Sequence, residues 1–436
     1  MGRGQDLYSK AKRIIPGGTQ LLSKRPEMFL PEQWPSFYDR AKGVEVVDLD
    51  GNTYIDMSIM GVGACVLGYA DPDVDGAVRA AIAKGAMCTL NVPEEVELAE
   101  LLCELHPWAQ MARFARGGGE AVSIAVRIAR AYTRHDKIAF CGYHGWTDSY
   151  LAANLGEEDA LDGHLLPGLE PSGVPRGLRG TALPFHYNRL DQLKTIVDAN
   201  RNSLAAIVME PRRDNPPDPG FLEEVRDIAT SIGAVLIFDE ITTGMRMTTG
   251  GIHLLLGVNP DMAVFAKAIA NGYAMAAVIG REEVMQAAQS TFISSTNWTE
   301  RIGPVAAVAT ICKYRRENVA THLIEIGRLV MAGWHRAAER VGLSLHTGSL
   351  PSIAHFRFDS DDSLTLTTLF IQSMLEKGYL AYNQFKPSFA HKPHHVHAYL
   401  KAVEDVFAFL AQAAEEGRVA SSLKGPVMRT GFYRLT

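Results

Sequence analysis

The sequence predicts an α/β protein whose larger domain carries a mostly parallel sheet, and three observations predict it. Short apolar runs rich in β-branched and aromatic residues recur, as at Leu204–Met209, Ala234–Phe238 and Met262–Ala266. Bounded by turn signals, such runs read as buried strands of a parallel sheet. Each leads directly into a functional group: Glu210, the pair Asp239-Glu240, and Lys267. At 436 residues the chain is too long for one simple core, so two domains are expected.

The totals are those of an ordinary globular protein, 47% hydrophobic and 21% charged with net charge −6. Mild acidity gives no basis for a nucleic acid or an anionic membrane as partner. The five cysteines are odd in number and lack CxxC spacing, so reduced thiols are expected and no metal. No apolar run approaches the ~18 residues of a membrane span. The opening Met1-Gly2-Arg3-Gly4-Gln5-Asp6 leads into a polar amphipathic segment. No signal peptide is expected, and the cytoplasm is the expected compartment.

In chain order, residues 6–15 read as a short helix stopped by Pro16-Gly17-Gly18. Residues 44–56 read as a hairpin, with Asp50-Gly51-Asn52 supplying the positive-φ turn. Met60 to Tyr69 form a Gly-rich turn that lets backbone approach a ligand or neighbour. Asp73–Lys84 and Glu94–Leu105 read as helices with acidic starts. Arg116-Gly117-Gly118-Gly119-Glu120-Ala121 opens another helix. Glycines there free backbone N–H groups to face an anion, and the helix dipole adds to the attraction. Such a run is also found in plain loops.

Lys137–Cys141 is a strand ending in Gly142-Tyr143-His144-Gly145-Trp146. Residues 151–185, rich in glycine and proline, read as a lid or Ω-like loop. Leu204–Met209 ends in Glu210, which either contacts a ligand or pairs with Arg212 or Arg213. After Lys267 the chain turns at Asn271-Gly272 into the strand Ala276–Gly280. From Ala306 one long helix runs through Arg316 and beyond, toward a C-terminal domain holding 353–358, 379–382 and the helix 396–413.

The stretch from Ala234 to Lys267 organises the rest. In open α/β sheets ligands bind beyond the carboxyl ends of the strands. One strand brings Asp239 to that edge and another brings Lys267, embedded in Val-Phe-Ala-Lys-Ala-Ile-Ala with no other charge nearby. A desolvated lysine loses its proton more readily and becomes a nucleophile. An acid for a pyridinium nitrogen and a lysine for a Schiff base are what pyridoxal 5'-phosphate (PLP) demands. The rival reading is a capping aspartate and a solvated lysine.

The run Leu236-Ile237-Phe238-Asp239-Glu240-Ile241-Thr242-Thr243-Gly244-Met245-Arg246, with Gly257-Val258-Asn259-Pro260-Asp261 and Lys267 after it, resembles the signature of class III aminotransferases. Within them it is similar to the glutamate-1-semialdehyde aminomutase branch. The resemblance extends from about Ala11 to about Val406 and is densest from Phe114 to Pro304. It implies fold type I: a large PLP-binding domain over 66–310 with a seven-stranded-type sheet, and a smaller α+β domain from 1–65 and 311–436.

The resemblance also implies roles. Lys267 holds PLP and shuttles a proton, and Asp239 keeps the pyridine nitrogen protonated. Gly118 and Gly119 bind the phosphate through their backbones. Gly117 stands where a hydroxyl residue is common, so one side-chain contact is missing. Tyr143 and Ile241 pack the two ring faces, and Glu210 lies near the cofactor. His144 is given no chemistry. Thr299, five residues before Pro304, reaches the phosphate of a partner subunit, with Thr296 as runner-up. This implies a homodimer with shared sites. The substrate entrance takes in Lys24, Arg25, Val62, Trp298 and Lys386, though a solvated loop is the rival reading for Lys24, Arg25 and Lys386.

The implied activity is transfer of an amino group from glutamate to a small carbonyl acceptor. The opening Ile15-to-Phe29 segment and Ser294-to-Pro304 look most like enzymes of surface-polysaccharide aminosugar formation, such as the one making 8-amino-3,8-dideoxy-octulosonate. Glutamate-1-semialdehyde 2,1-aminomutase is the alternative. Against it stand Val62 for a tryptophan, Asn271-Gly272 for a Gly-Gly-Gly run, and Lys386 for a glutamate. A cofactor-free binding protein is a third possibility, and visible absorbance separates it from the other two.

Overall fold

The computed structural model describes residues 2–157, 159–164 and 167–432. The chain divides into two compact units, Pro72–Ala320 and the two ends Met1–Asp71 with Thr321–Thr436. The breaks fall somewhat later than the expected 65 and 310.

The unit Pro72–Ala320 is built on a seven-stranded sheet. Its strands are β1 (Met111–Ala115), β2 (Lys137–Cys141), β3 (Ala182–Pro184), β4 (Leu204–Met209), β5 (Val235–Asp239), β6 (Met262–Phe265) and β7 (Ala276–Gly280). They lie in the order β1-β7-β6-β5-β4-β2-β3. The run from β6 to β3 is parallel, and β7 is antiparallel to both its neighbours.

The apolar runs become central strands because both sheet faces are covered. Strand side chains alternate between faces. Ile138, Phe140, Val208, Ile237 and Val264 pack on one side with the helix α1 (Gly118–Thr133). Ala139, Ile207, Leu236 and Phe238 pack on the other with Phe221, Val225 and Ala229 of α2 (Phe221–Ile232). Each of the larger side chains removed from water contributes roughly 1.5–3 kcal/mol.

Two expectations change. The helix drawn as continuous from Ala306 is two helices, α3 (Ile302–Arg316) and α4 (Val319–Val341), broken at Asn318 with φ of +48°. Asparagine tolerates that left-handed conformation, which ends one helix before the next begins. The stretch 151–185, expected to be irregular throughout, carries helical turns at Ala152–Leu155 and Arg176–Leu178 and supplies the edge strand β3. Positions 158, 165 and 166 of that stretch lie outside the described residues.

The other unit has a four-stranded sheet of Tyr38–Lys42, Glu45–Asp48, Thr53–Met57 and Tyr379–Ala381, the last parallel to its neighbour. The expected hairpin is its centre. Asp48 Oδ1 accepts from the amides of Asp50 and Asn52, each at 2.9 Å, and Gly51 takes φ of +87°. The core gathers Trp334, Phe356, Phe370, Tyr399 and Phe407. Trp334 donates to the Tyr399 hydroxyl at 2.9 Å, so neither buried polar group goes unmatched.

Candidate active site

Parallel strands deliver their carboxyl ends to one edge, and the ladder register fixes how closely. Cys141 pairs with Met209, Met209 with Phe238, and Asp239 with Val264. The groups at or just past these ends are Gly142-Tyr143-His144, Glu210, Asp239 and Lys267. β1 ends at the same edge and leads into Gly117-Gly118-Gly119.

Asp239 is buried. Its Oδ1 accepts from the Ile241 amide at 3.0 Å, and its Oδ2 lies 2.8 Å from His144 Nδ1. The other ring nitrogen of His144 donates to the Cys141 carbonyl at 3.0 Å. His144, left without a role from sequence, is therefore the direct partner of the acid. The signal was its place just past the end of β2, one strand away from β4 and two from β5.

Lys267 takes a left-handed φ of +52°, which costs of order 1–3 kcal/mol for a non-glycine residue. Its Nζ donates to Thr242 Oγ1 at 3.0 Å. Burial and the nearby Arg246 push its pKa down, against the upward pull of Asp239 and Glu210. The lysine thereby gives up its proton more readily than an exposed lysine does. Glu210 is paired with Arg213 at 3.2 Å. Burial still raises its carboxyl pKa, with Arg213 opposing and Asp239 assisting.

The helix α1 begins at Gly118. The Glu120 carboxylate accepts from the amides of Arg116 and Gly117, at 3.1 and 2.9 Å. Gly118 and Gly119 open the helix, where no carbonyl lies four residues back within it to take their amides. The glycines are also required by space. A Cβ on Gly118 would stand 2.8 Å from Ile241 Cδ1, and one on Gly119 would stand 3.1 Å from Trp146 Nε1. Ile241 thus lies directly against the cradle. Tyr143 is exposed on the loop after β2, with its ring edge-on to Tyr150 at 5.7 Å.

A second buried network sits behind the acid. Trp108 Nε1 donates to His253 Nε2 at 3.0 Å, so that nitrogen is an acceptor. His253 Nδ1 then donates to Glu240 Oε1 at 2.7 Å, and Thr243 donates to Oε2 at 2.6 Å. Burial raises the Glu240 pKa, but these bonds outweigh it and hold the group below its usual value. The network clamps the segment between β5 and β6. Only the adjacency of Glu240 to Asp239 hinted at it.

Thr299 and Thr296 are both exposed, and Thr299 Oγ1 donates to the Thr296 carbonyl at 2.9 Å. Trp298 is half-buried against the edge of the core. The remaining candidates belong to the other unit. Lys24 is exposed at the end of a short turn, and the Arg25 side chain lies against Gly17. Val62 lies in a run of left-handed residues from Met60 to Gly63, with φ of +59°. The Lys386 amide donates to the Ser58 carbonyl at 2.8 Å. Lys386 is half-buried and Pro387 buried.

Residues 31–382 match the family Aminotransferase class-III. The chain belongs to the class-III aminotransferases. It is 36% identical over 372 residues to 3-aminobutyryl-CoA aminotransferase of Cloacimonas acidaminovorans, covering 83% of this chain and 85% of that one. It is 32% identical to glutamate-1-semialdehyde 2,1-aminomutase of Geotalea daltonii, covering 95% and 99%. Among solved structures, the FumI protein of Sphingopyxis sp. MTA144, in a PLP-bound form, aligns with a TM-score of 0.86 at 25% identity, covering 95% and 97%.

Members of this class use PLP, and the residues here fit it. A buried acid, a lysine whose pKa burial pushes down, and a glycine cradle at a helix N-terminus meet at one sheet edge. The enzyme is a PLP-dependent aminotransferase of fold type I. Among the described residues no helix is long and apolar enough to cross a membrane.

Proposed function

We propose that this aminotransferase moves an amino group from glutamate to a carbonyl compound whose reacting carbon stands away from its carboxylate. A sugar-acid aldehyde of the 8-amino-3,8-dideoxy-octulosonate type is the first candidate. The observation that carries the chemistry is the presence of Asp239 and Lys267 at one edge, each held by its own hydrogen bond. PLP, when bound, supplies an electron sink for the carbon losing its proton. Lys267 Nζ is the base that takes and returns that proton. Asp239, backed by His144, would keep the pyridine nitrogen protonated. Gly118 and Gly119 bind the phosphate, and Tyr143 and Ile241 pack the ring. Glu210, held by Arg213, lies nearby as a cofactor neighbour.

Thr299 is proposed to serve the phosphate of a second copy of the chain. Its exposure supports this, as do Phe292 at 84% and Leu90 at 77% exposed, apolar side chains of a kind that a partner covers. Lys24, Arg25 and Lys386 are the proposed contacts for the substrate carboxylate, with Val62 and Trp298 as further substrate neighbours.

A 3-oxoacyl thioester acceptor is the second reading, favoured by the 36% identity to 3-aminobutyryl-CoA aminotransferase. Purified enzyme, glutamate and a panel of acceptors decide. Formation of 2-oxoglutarate with the sugar-acid aldehyde supports the first reading, and dominance of the thioester supports the second. Isomerisation of glutamate-1-semialdehyde without any donor would overturn both in favour of the aminomutase.

A further inference from the structure

We propose that Arg246 is a positioning residue for Lys267: a buried guanidinium, anchored on the same threonine as the lysine, whose charge opposes an ammonium at Lys267 Nζ. The inference rests on Lys267 being the reactive amine.

Thr242 holds both cations. Its hydroxyl accepts from Lys267 Nζ at 3.0 Å, and its carbonyl accepts from Arg246 Nε at 2.7 Å. Arg246 is only 2% exposed. The turn between them is tight and fixed. The Gly244 amide donates to the Glu240 carbonyl at 2.7 Å, and Met245, at φ of +55°, donates to the Gly250 carbonyl at 2.8 Å. A Cβ on Gly244 would stand 2.8 Å from Phe265 Cδ1, so the turn lies directly on the strand end that leads to Lys267.

Two positive charges held close in a medium of low dielectric repel, and the group with the lower proton affinity gives way. Burial brings Arg246 down to about 10, so it stays charged at neutral pH. Tyr314, fully buried, interacts with it, and burial pushes its phenol up. The other charged groups that act on Lys267 are Asp239 and Glu210, and both favour the ammonium form. Asp239 is engaged by His144, and Glu210 by Arg213. Arg246 is the charge that opposes them. Without it, burial alone would oppose the two carboxylates, which would hold the Lys267 proton more firmly and leave less free amine to attack an aldehyde.

The test reads the amine itself. The full-length chain, freed of cofactor, is labelled with limiting dinitrofluorobenzene across a pH series, and the Lys267 peptide is quantified by mass spectrometry. The parent midpoint is expected below the ordinary lysine value of roughly 10.4. Arg246→Gln keeps an N–H for the Thr242 carbonyl and removes the charge, and should raise the midpoint by about one unit. An ordinary lysine midpoint in the parent overturns the proposal with no variant needed. A folded Arg246→Gln protein with the parent midpoint overturns it as well. Cofactor trapping on a different lysine would instead remove the reading of Lys267 as reactive amine, while the labelling midpoint still reports on Arg246.

Discussion

His144 Nδ1 stands 2.8 Å from Asp239 Oδ2 while His144 Nε2 donates to the Cys141 carbonyl. A carbonyl oxygen can only accept, so the Nε2 proton is fixed and the bond to Asp239 needs a second proton on the pair. His144→Ala should leave a folded, PLP-binding enzyme whose kcat falls about tenfold to a hundredfold, the worth of a charge-assisted bond of roughly 1.5–3 kcal/mol. Unchanged kcat, with visible absorbance as in the parent, would show that Asp239 needs no partner.

Lys267 should carry the cofactor. Borohydride treatment of the holoenzyme is expected to fix PLP to the peptide containing Lys267. Lys267→Ala should still bind PLP but lose turnover by several orders of magnitude, because nucleophile and base disappear together. Label on any other lysine would end the assignment.

Assembly can be checked by complementation. If Thr299 acts across a C2 dimer, mixing Thr299→Ala with Lys267→Ala protomers gives heterodimers in which one site has both lesions and the other has neither. Part of the activity should return. Proven heterodimers without recovery would exclude a contact in trans.

Stability should fall in acid before the carboxylates titrate. Burial is the main cause that brings His106, His164 and His391 each down to about 4. Their unfolded value is about 6.5. The unfolded chain thus binds more protons between roughly pH 6.5 and 4, and unfolding free energy drops as pH falls through that window. Urea titrations across it should show uptake of up to about three protons on unfolding. A flat profile from about pH 7 to 5 would contradict the buried neutral histidines.

Lys386→Glu tests substrate charge. The variant should weaken use of an acidic acceptor by about tenfold to a hundredfold, the range of a charge-assisted contact, with PLP absorbance unchanged. A kcat/KM within about twofold of the parent for every acidic substrate would move the search to Arg25.

The sheet edge is legible in the residues alone. Apolar runs leading into Glu210, Asp239 and Lys267 have the pattern of parallel strands covered on both faces, and parallel strands bring the residues at their carboxyl ends to one side. Local chemistry also sets the hairpin around Gly51 and the helix opening at Gly118, because turn and cap signals lie within a few residues of the backbone they control. Long-range packing settles the rest. His144 meets Asp239 across 95 residues and Trp108 meets His253 across 145. Arg246 and Lys267 share Thr242 although β6 separates them along the chain. No periodicity records such pairs, since each depends on which strand lies beside which and on the direction a loop takes after leaving it. The break at Asn318 was hidden for a related reason: a single left-handed residue ends a helix without changing the apolar pattern on either side of it.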